Sequence, residues 1–362
     1  MHDITVRRAV REDIPVIQEF TRSTFSWGDY VYEALKDWIE GDGDLWVADV
    51  DGRAVGVTHV RYLSRDIAWF EGIRVHPNYR KHGIGRLLTE ASIRGAKERG
   101  ALTAYAAIDM DNLASQSLAK SMGFRLANIL IELSKTQAMD MKAYLATETR
   151  GPNFRTLVHP HRDLCGYDKN NITLYFTDGV HAGIRKATSE DIDRIYAMGK
   201  NKVRFIGSNF TWRPFAKDTI ALPIDGEMIL VGVKNIDSQK TPNLEAGPFL
   251  AVSFVGTPEI HIHKETSEKV EIEVFIGAAF GEEEGVERIV RYLFEKAISL
   301  ANGDKNPHIA HMHQGDTAEI EMCIFLEQNQ RSLRDFLLRK GFTLEQLTQE
   351  TEGSVGIWEI AL

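Results

Sequence analysis

Two cysteines in 362 residues, Cys165 and Cys323, are too few and too far apart for a disulfide framework or a paired-cysteine metal clip. No run of 18 or more apolar residues occurs, which excludes a membrane-spanning helix. The opening Met1-His2-Asp3-Ile4-Thr5-Val6-Arg7-Arg8 has no apolar stretch that could serve as a signal peptide. These absences lead us to expect a cytoplasmic protein with reduced thiols and no membrane partner. A basic surplus is missing too. Lys and Arg number 43 against 52 Asp and Glu, a net charge of -9. Residues 1–135 hold 18 basic and 19 acidic side chains, and the remainder 25 and 33. A binder that tracks nucleic-acid phosphates needs a basic face, so no nucleic-acid partner is expected.

What is present is ordinary for a soluble chain with real cores: 43% hydrophobic and 26% charged residues. Its length suits two domains. The first 135 residues read as alternating strands and helices. Residues 4–6 form a strand, and Arg11-Glu12-Asp13 opens a helix with Ile14, Ile17 and Phe20 at helical spacing. Strands over 45–50 and 54–62 flank Asp51-Gly52, a dipeptide suited to a hairpin turn. A strand over 67–75 leads through a glycine-containing loop to a helix over 84–98. An apolar strand over 101–108, a helix over 112–122 closed by Gly123, and a strand over 126–133 complete the half.

The opening then returns. Residues 6–17 match 184–195 at an offset of 178, with six identities in twelve positions. Gly123-Phe124 after a helix recurs as Gly341-Phe342, and Asn112…Ser115 as Asn329…Ser332, with insertions expected around 213–247. Two copies are too few for a solenoid, so a tandem duplication is inferred. We expect one domain over 1–137, an arm or linker over 138–181 with a strand at 172–176, and a second domain over 182–362. Histidines at 261, 263, 308, 311 and 313 lack any cysteine companion, and no metal site is expected from them.

The informative stretch is residues 69–88. A strand ends at Val75, His76-Pro77 breaks it, and Arg80-Lys81-His82-Gly83-Ile84-Gly85 turns straight into a helix. Glycines there admit positive φ and close approach of a ligand, and successive N–H groups backed by a helix dipole suit a pyrophosphate. The loop is neither a Walker loop nor a dinucleotide fingerprint. It resembles the acyl-CoA signature of the GNAT superfamily of N-acetyltransferases, [Arg/Gln]-x-x-Gly-x-[Gly/Ala] after a strand ending Val-x-Pro. Residues 112–124, Asn112 to Gly123-Phe124, resemble the same family's second motif. Order and spacing agree over residues 4–135.

The resemblance implies an α/β (α+β) fold: two tandem GNAT-like domains, each a mixed, mostly antiparallel twisted sheet flanked by helices. It implies an acetyl-CoA-dependent N-acetyltransferase acting on a primary amine, a small molecule or an amino acid, by direct attack. Arg80, Lys81, His82, Gly83, Ile84, Gly85 and Arg86 would hold the pyrophosphate, while Ile73 and Val75 would pair with the pantetheine arm. Asn112 and Ser115 would contact the same cofactor. Glu71 would accept the amine's proton, since only a neutral amine attacks a thioester. A backbone N–H near Ile73–Val75 would stabilise the oxyanion. Trp27, Asp29 and Tyr30 lie where the family shapes its acceptor pocket. The family's usual Tyr, general acid for the thiolate, falls at Ala119; Tyr105, Ser115, Ser117 or water are the substitutes. The stretches 28–38 and 70–75 are also similar to acetyltransferases of free amino acids such as histidine.

Plainer alternatives stand beside these roles. Asn112 could be a helix cap. Glu71 could serve only to pair with Arg61 or Arg74. Trp27, Asp29 and Tyr30 could be packing and capping residues. In the second copy, aligning Gly285 on Gly83 sets Glu282 at the Arg80 position and Glu287 at the Gly85 position, carboxylates where a pyrophosphate would sit. We therefore expect that copy to be degenerate and CoA-incompetent. Rival readings are a non-catalytic acyl-CoA-binding module and an acyltransferase using a longer acyl chain. A homodimer stays open.

Overall fold

The computed structural model describes residues 4–22, 24, 29–140, 184–208, 210–222, 227–233, 248–256, 259–263, 269–301, 317–344 and 354–362. The chain divides into two compact units: residues 1–129 with 355–362, and residues 130–354. The residue patterning places 355–362 in the second domain and ends the first at 137. The structure assigns the last eight residues to the first unit because they pair with one of its strands. Most of the expected arm over 138–181, including its strand at 172–176, lies outside the described residues.

In the first unit, β1 (Ile4–Arg8), β2 (Asp44–Val50), β3 (Arg53–Tyr62) and β4 (Ile67–Val75) pair antiparallel in that order. β5 (Thr103–Asp109) then runs parallel to β4. β6 (Arg125–Asp140) contributes its first residues here. The chain's final strand, Ser354–Ala361, pairs antiparallel with β5, setting Trp358 opposite Ala106. Asp51 and Gly52 both take positive φ at the β2–β3 hairpin, as their turn chemistry requires.

Helices cover both faces. α1 (Ile14–Thr21) and α2 (Tyr30–Glu40) pack one face. Val31, Leu35 and Trp38, at one-turn spacing, join Leu45, Val47 and Val57 there. α3 (Ile84–Glu98) sets Ile84, Leu88 and Ala91 against Ala48, Val55 and Ala68 on the other. The short α4 (Leu113–Ser121) brings Ala119 against Phe124 and Trp358. Covered on both faces, β2 is buried along its whole length.

The second unit repeats the plan. β7 (Ile184–Lys186), a short turn at Ser189–Asp191 and α5 (Ile192–Gly199) restate β1, Arg11–Asp13 and α1. The likeness extends to single atoms. Arg7 forks onto Asp13 at 2.7 and 2.8 Å while Val10 N–H donates to the same carboxylate; Arg185 forks onto Asp191 at 2.5 and 2.8 Å with Thr188 N–H donating. Next come β8 (Phe205–Ser208), β9 (Thr211–Pro214), α6 (Lys217–Ile220), β10 (Met228–Val233), β11 (Phe249–Val255), β12 (Glu259–His263) and β13 (Lys269–Gly281). α7 (Glu283–Ala301), β14 (Thr317–Glu327), α8 (Arg331–Arg339) and β15 (Thr343–Leu344) follow, leaving the final strand as β16. The strand order is β7-β10-β11-β13-β14-β6, with β13 and β14 parallel as β4 and β5 are. Among the described residues no helix is long and apolar enough to cross a membrane.

Candidate active site

β4 and β5 pair only from Ile67↔Thr103 to Trp69↔Tyr105. Beyond that point β4 continues to Val75 and β5 to Asp109 without pairing, so the two strands part. Two glycines shape what lies at this opening. Gly72 has φ +67 at a bulge in the β3–β4 ladder, and an added Cβ would come within 2.4 Å of the Trp38 ring. Gly83 has φ +79 at the N-cap of α3 with open space beside it.

The loop after β4 and the N-termini of α3 and α4 enclose an open cleft of about 370 Å³. Val75, Arg80, Lys81, Gly83, Gly85 and Arg86 line it, with Leu118 from α4 closing one side. The first-turn N–H groups of a helix have no intrahelical acceptor, so α3 presents donors and positive potential to this space. Arg80 donates to Val75 O at 3.2 Å. Among the described residues none of Arg80, Lys81 and Arg86 has an acidic partner. Lys81 takes φ +65, and Lys81 and His82 are exposed. Asn112 caps α4 by accepting from Ser115 N–H at 3.1 Å, so the plainer role holds for this pair. The donor set, the open cradle and the parted strands fit a pyrophosphate joined to an extended arm.

On the opposite face, toward α1 and α2, the alternation of β4 and β5 sets Glu71 with Trp69 and Tyr105. Glu71 is mostly buried, with 12% of its side chain exposed. Its Oε1 meets His59 Nδ1 at 2.8 Å and Arg61 Nη2 at 3.3 Å. Arg74 instead forks onto Asp29 at 2.7 and 3.0 Å, while Asp29, wholly buried, caps α2 through Val31 N–H. Asp29 thus holds Arg74 and the start of α2 in place. Tyr30 is nearly half exposed as a residue, yet its hydroxyl end is buried near Glu71. Burial there and then the Glu71 charge push the phenol up to about 12. Tyr105 is buried, and burial followed by the charge of Glu359 raises it, so its proton stays on. Trp27 lies outside the described residues.

His59 went unnoticed in the sequence. Its signal was faint: a histidine in an apolar strand, twelve residues before Glu71, meets the carboxylate only through the β3–β4 register.

In the second unit the corresponding space is filled. β13 ends at Gly281 and α7 begins at Glu283, so a single residue stands where eight, 76–83, separate β4 from α3. The expected array of carboxylates in a loop is corrected accordingly: no such loop exists. Glu283 accepts from Ser332 Oγ at 2.6 Å, and Glu287 pairs with Lys340 at 2.8 Å, tying α7 to α8. β13 and β14 pair from Lys269↔Thr317 to Ile276↔Ile324 and then part as well. There Trp212 Nε1 donates to Gly277 O at 3.1 Å and Gln330 Nε2 to Ala279 O at 2.7 Å. Side chains from outside β13 thus occupy backbone acceptors along the end that β14 leaves unpaired. Among the described residues no cluster of His, Cys, Asp or Glu could hold a metal; His308, His311 and His313 lie outside them.

Known proteins resemble parts of this chain. The model of the acetyltransferase (GNAT) family matches residues 14–124. The first unit carries a GNAT domain. Over 95 residues this chain is 30% identical to a zebrafish (Danio rerio) protein named probable N-acetyltransferase 14, covering 26% of this chain and 34% of that one. A further 29% identity over 98 residues relates it to an uncharacterized N-acetyltransferase of Chlorobaculum tepidum, covering 27% of this chain and 63% of the relative. The chain therefore spans about a third and under two-thirds of these two relatives. A solved tandem GNAT protein from the clavulanic acid biosynthesis pathway aligns over 99% of this chain and 98% of its own, at 12% identity and a TM-score of 0.45.

Proposed function

We propose that the GNAT domain transfers an acetyl group from acetyl-CoA to a primary amine of a small molecule or amino acid, with Glu71 as the base. The observation that carries this is the meeting of three features at one place: parted β4 and β5, the donor-rich start of α3, and a buried carboxylate on the acceptor face. Acetyl-CoA supplies an activated acyl group whose C–S bond breaks as the C–N bond forms. Arg80, Lys81, Arg86 and the N–H groups from Gly83 to Arg86 hold its pyrophosphate, and Ile73 and Val75 offer backbone to its pantetheine arm. Glu71 takes the proton that the attacking nitrogen must shed. Tyr105, its proton retained, or water returns one to the thiolate. Asp29 and Arg74 brace α2, from which Tyr30 and Trp38 shape the acceptor side.

Calorimetric titration of the intact protein with acetyl-CoA tests the reading. One site per chain is expected, abolished by Gly83→Glu; two sites would restore a role to the second unit, and no binding would sink the proposal. Glu71→Gln is expected to lower kcat ~10²–10⁴-fold while acetyl-CoA affinity holds. A non-catalytic acyl-CoA-binding module is the second reading. It is favoured by Ala119, packed against Phe124 and Trp358 where the family carries a hydroxyl. Binding without turnover on any amine would establish it.

A further inference from the structure

We propose that His59 is a positioning residue for Glu71, fixing one carboxylate oxygen so that the other faces the amine. The inference rests on the reading of Glu71 as base. Glu71 Oε1 is engaged twice, by His59 and by Arg61, while Oε2 makes no hydrogen bond among the described residues. The His59 ring is stacked on Trp38, with centroids 4.5 Å apart and planes 7° from parallel. Trp38 in turn packs over Gly72, the bulge next to Glu71. Bulge, indole, imidazole and carboxylate thus form one closed set of contacts, and the ring cannot swing away from Oε1.

The far edge of the ring decides its tautomer. Nε2 is buried without a partner, close against Gly43, where an added Cβ would come within 2.2 Å. A hydrogen on Nε2 would be a buried donor with nothing to meet, at a cost of ~1–3 kcal/mol. The hydrogen therefore sits on Nδ1, which donates to Glu71.

The fold does not demand this pair. His59 stands three residues in from the Gly56↔Val75 pair; three residues in from Ala251↔Gly281 in the second unit stands Phe254, opposite Ala278. Both are buried. An apolar pair fills the same sheet position and strands no polar atom. A buried polar pair kept where an apolar one suffices marks work on a proton, not packing.

The test uses the intact protein, acetyl-CoA and the best acceptor from a panel of free amino acids and polyamines. His59→Leu is expected to lower kcat about tenfold, part of the ~10²–10⁴ that a positioned base contributes, with KM for acetyl-CoA unchanged. His59→Asn, whose amide N–H can replace Nδ1–H, recovers most of the loss. Long-range proton–nitrogen spectra of the unaltered protein, which need no variant to fold, show the hydrogen on Nδ1. Equal kcat in all three proteins, or hydrogen on Nε2, overturns the proposal. If Glu71→Gln abolishes turnover while His59→Leu leaves it intact, the base stands and the positioning role falls. If Glu71→Gln leaves turnover intact, the base falls and the positioning role with it.

Discussion

Asp29 and Asp13 each serve two structural ends with one carboxylate. Asp29 caps α2 and neutralises Arg74 while wholly buried. Removing one partner of such a pair strands the other's charge, so Asp29→Ala is expected to cost about 3–5 kcal/mol, read from the urea midpoint. Asp13 shows the opposing forces on a carboxyl. Burial raises it, but the Arg7 fork and the Val10 N–H outweigh burial and hold it below its ordinary value; Asp191 behaves alike with Arg185 and Thr188. A folded value below the unfolded one means that stability is fully present above the unfolded value, near ~4, and is lost as pH falls through the folded value. Urea midpoints taken from pH 7 down to pH 3 are expected to fall in the acid range, and Asp13→Asn with Asp191→Asn to flatten that fall.

At the level of elements, the decisive contrast lies between the loop before α3 and its absence before α7. Gly83 holds φ +79 with open space beside it, so Gly83→Ala meets no atom and bears only the left-handed backbone cost, ~1–2 kcal/mol. Acetyl-CoA affinity is expected to survive that change and to be lost with Gly83→Glu, which sets a carboxylate among the basic groups lining the cleft. In the second unit the plug and the missing loop act together. Trp212→Ala opens the space beside Gly277 but supplies no phosphate cradle. Calorimetry is expected to count one acetyl-CoA per chain before and after, while the lost indole packing lowers stability by ~3–5 kcal/mol.

For the whole molecule, the first unit depends on the chain's last strand. β16 pairs with β5 along Thr103–Asp109 and brings Ile357 and Trp358 into the core, Trp358 beside Ala119. A chain ended after residue 353 retains every motif residue yet bares the edge of β5 and opens a large cavity under α4. Acetyl-CoA binding and the thermal midpoint are both expected to drop sharply, whereas a cut confined to an independent second domain would spare them.

Much of this was legible in the residues. Apolar spacing marked α1, α3 and β4 within a residue or two, because periodicity and turn chemistry are local. The twelve-residue echo at 178 carried the duplication, and Gly83 announced the positive-φ turn into α3, because a turn that needs glycine must contain it. Other features required contacts between distant segments. Sheet order is blind to chain order, so β16 read as part of the second copy while its register with β5 assigns it to the first. Glu71 was visible, but whether Arg61 or Arg74 would take it was settled by which side chain the β3–β4 register turned toward it. His59 became a partner only through that same register, and the plug by Trp212 and Gln330 only through packing. Local propensity and motif chemistry are written along the chain; hydrogen bonds between strands, and what fills a cleft, exist only once the sheet is built.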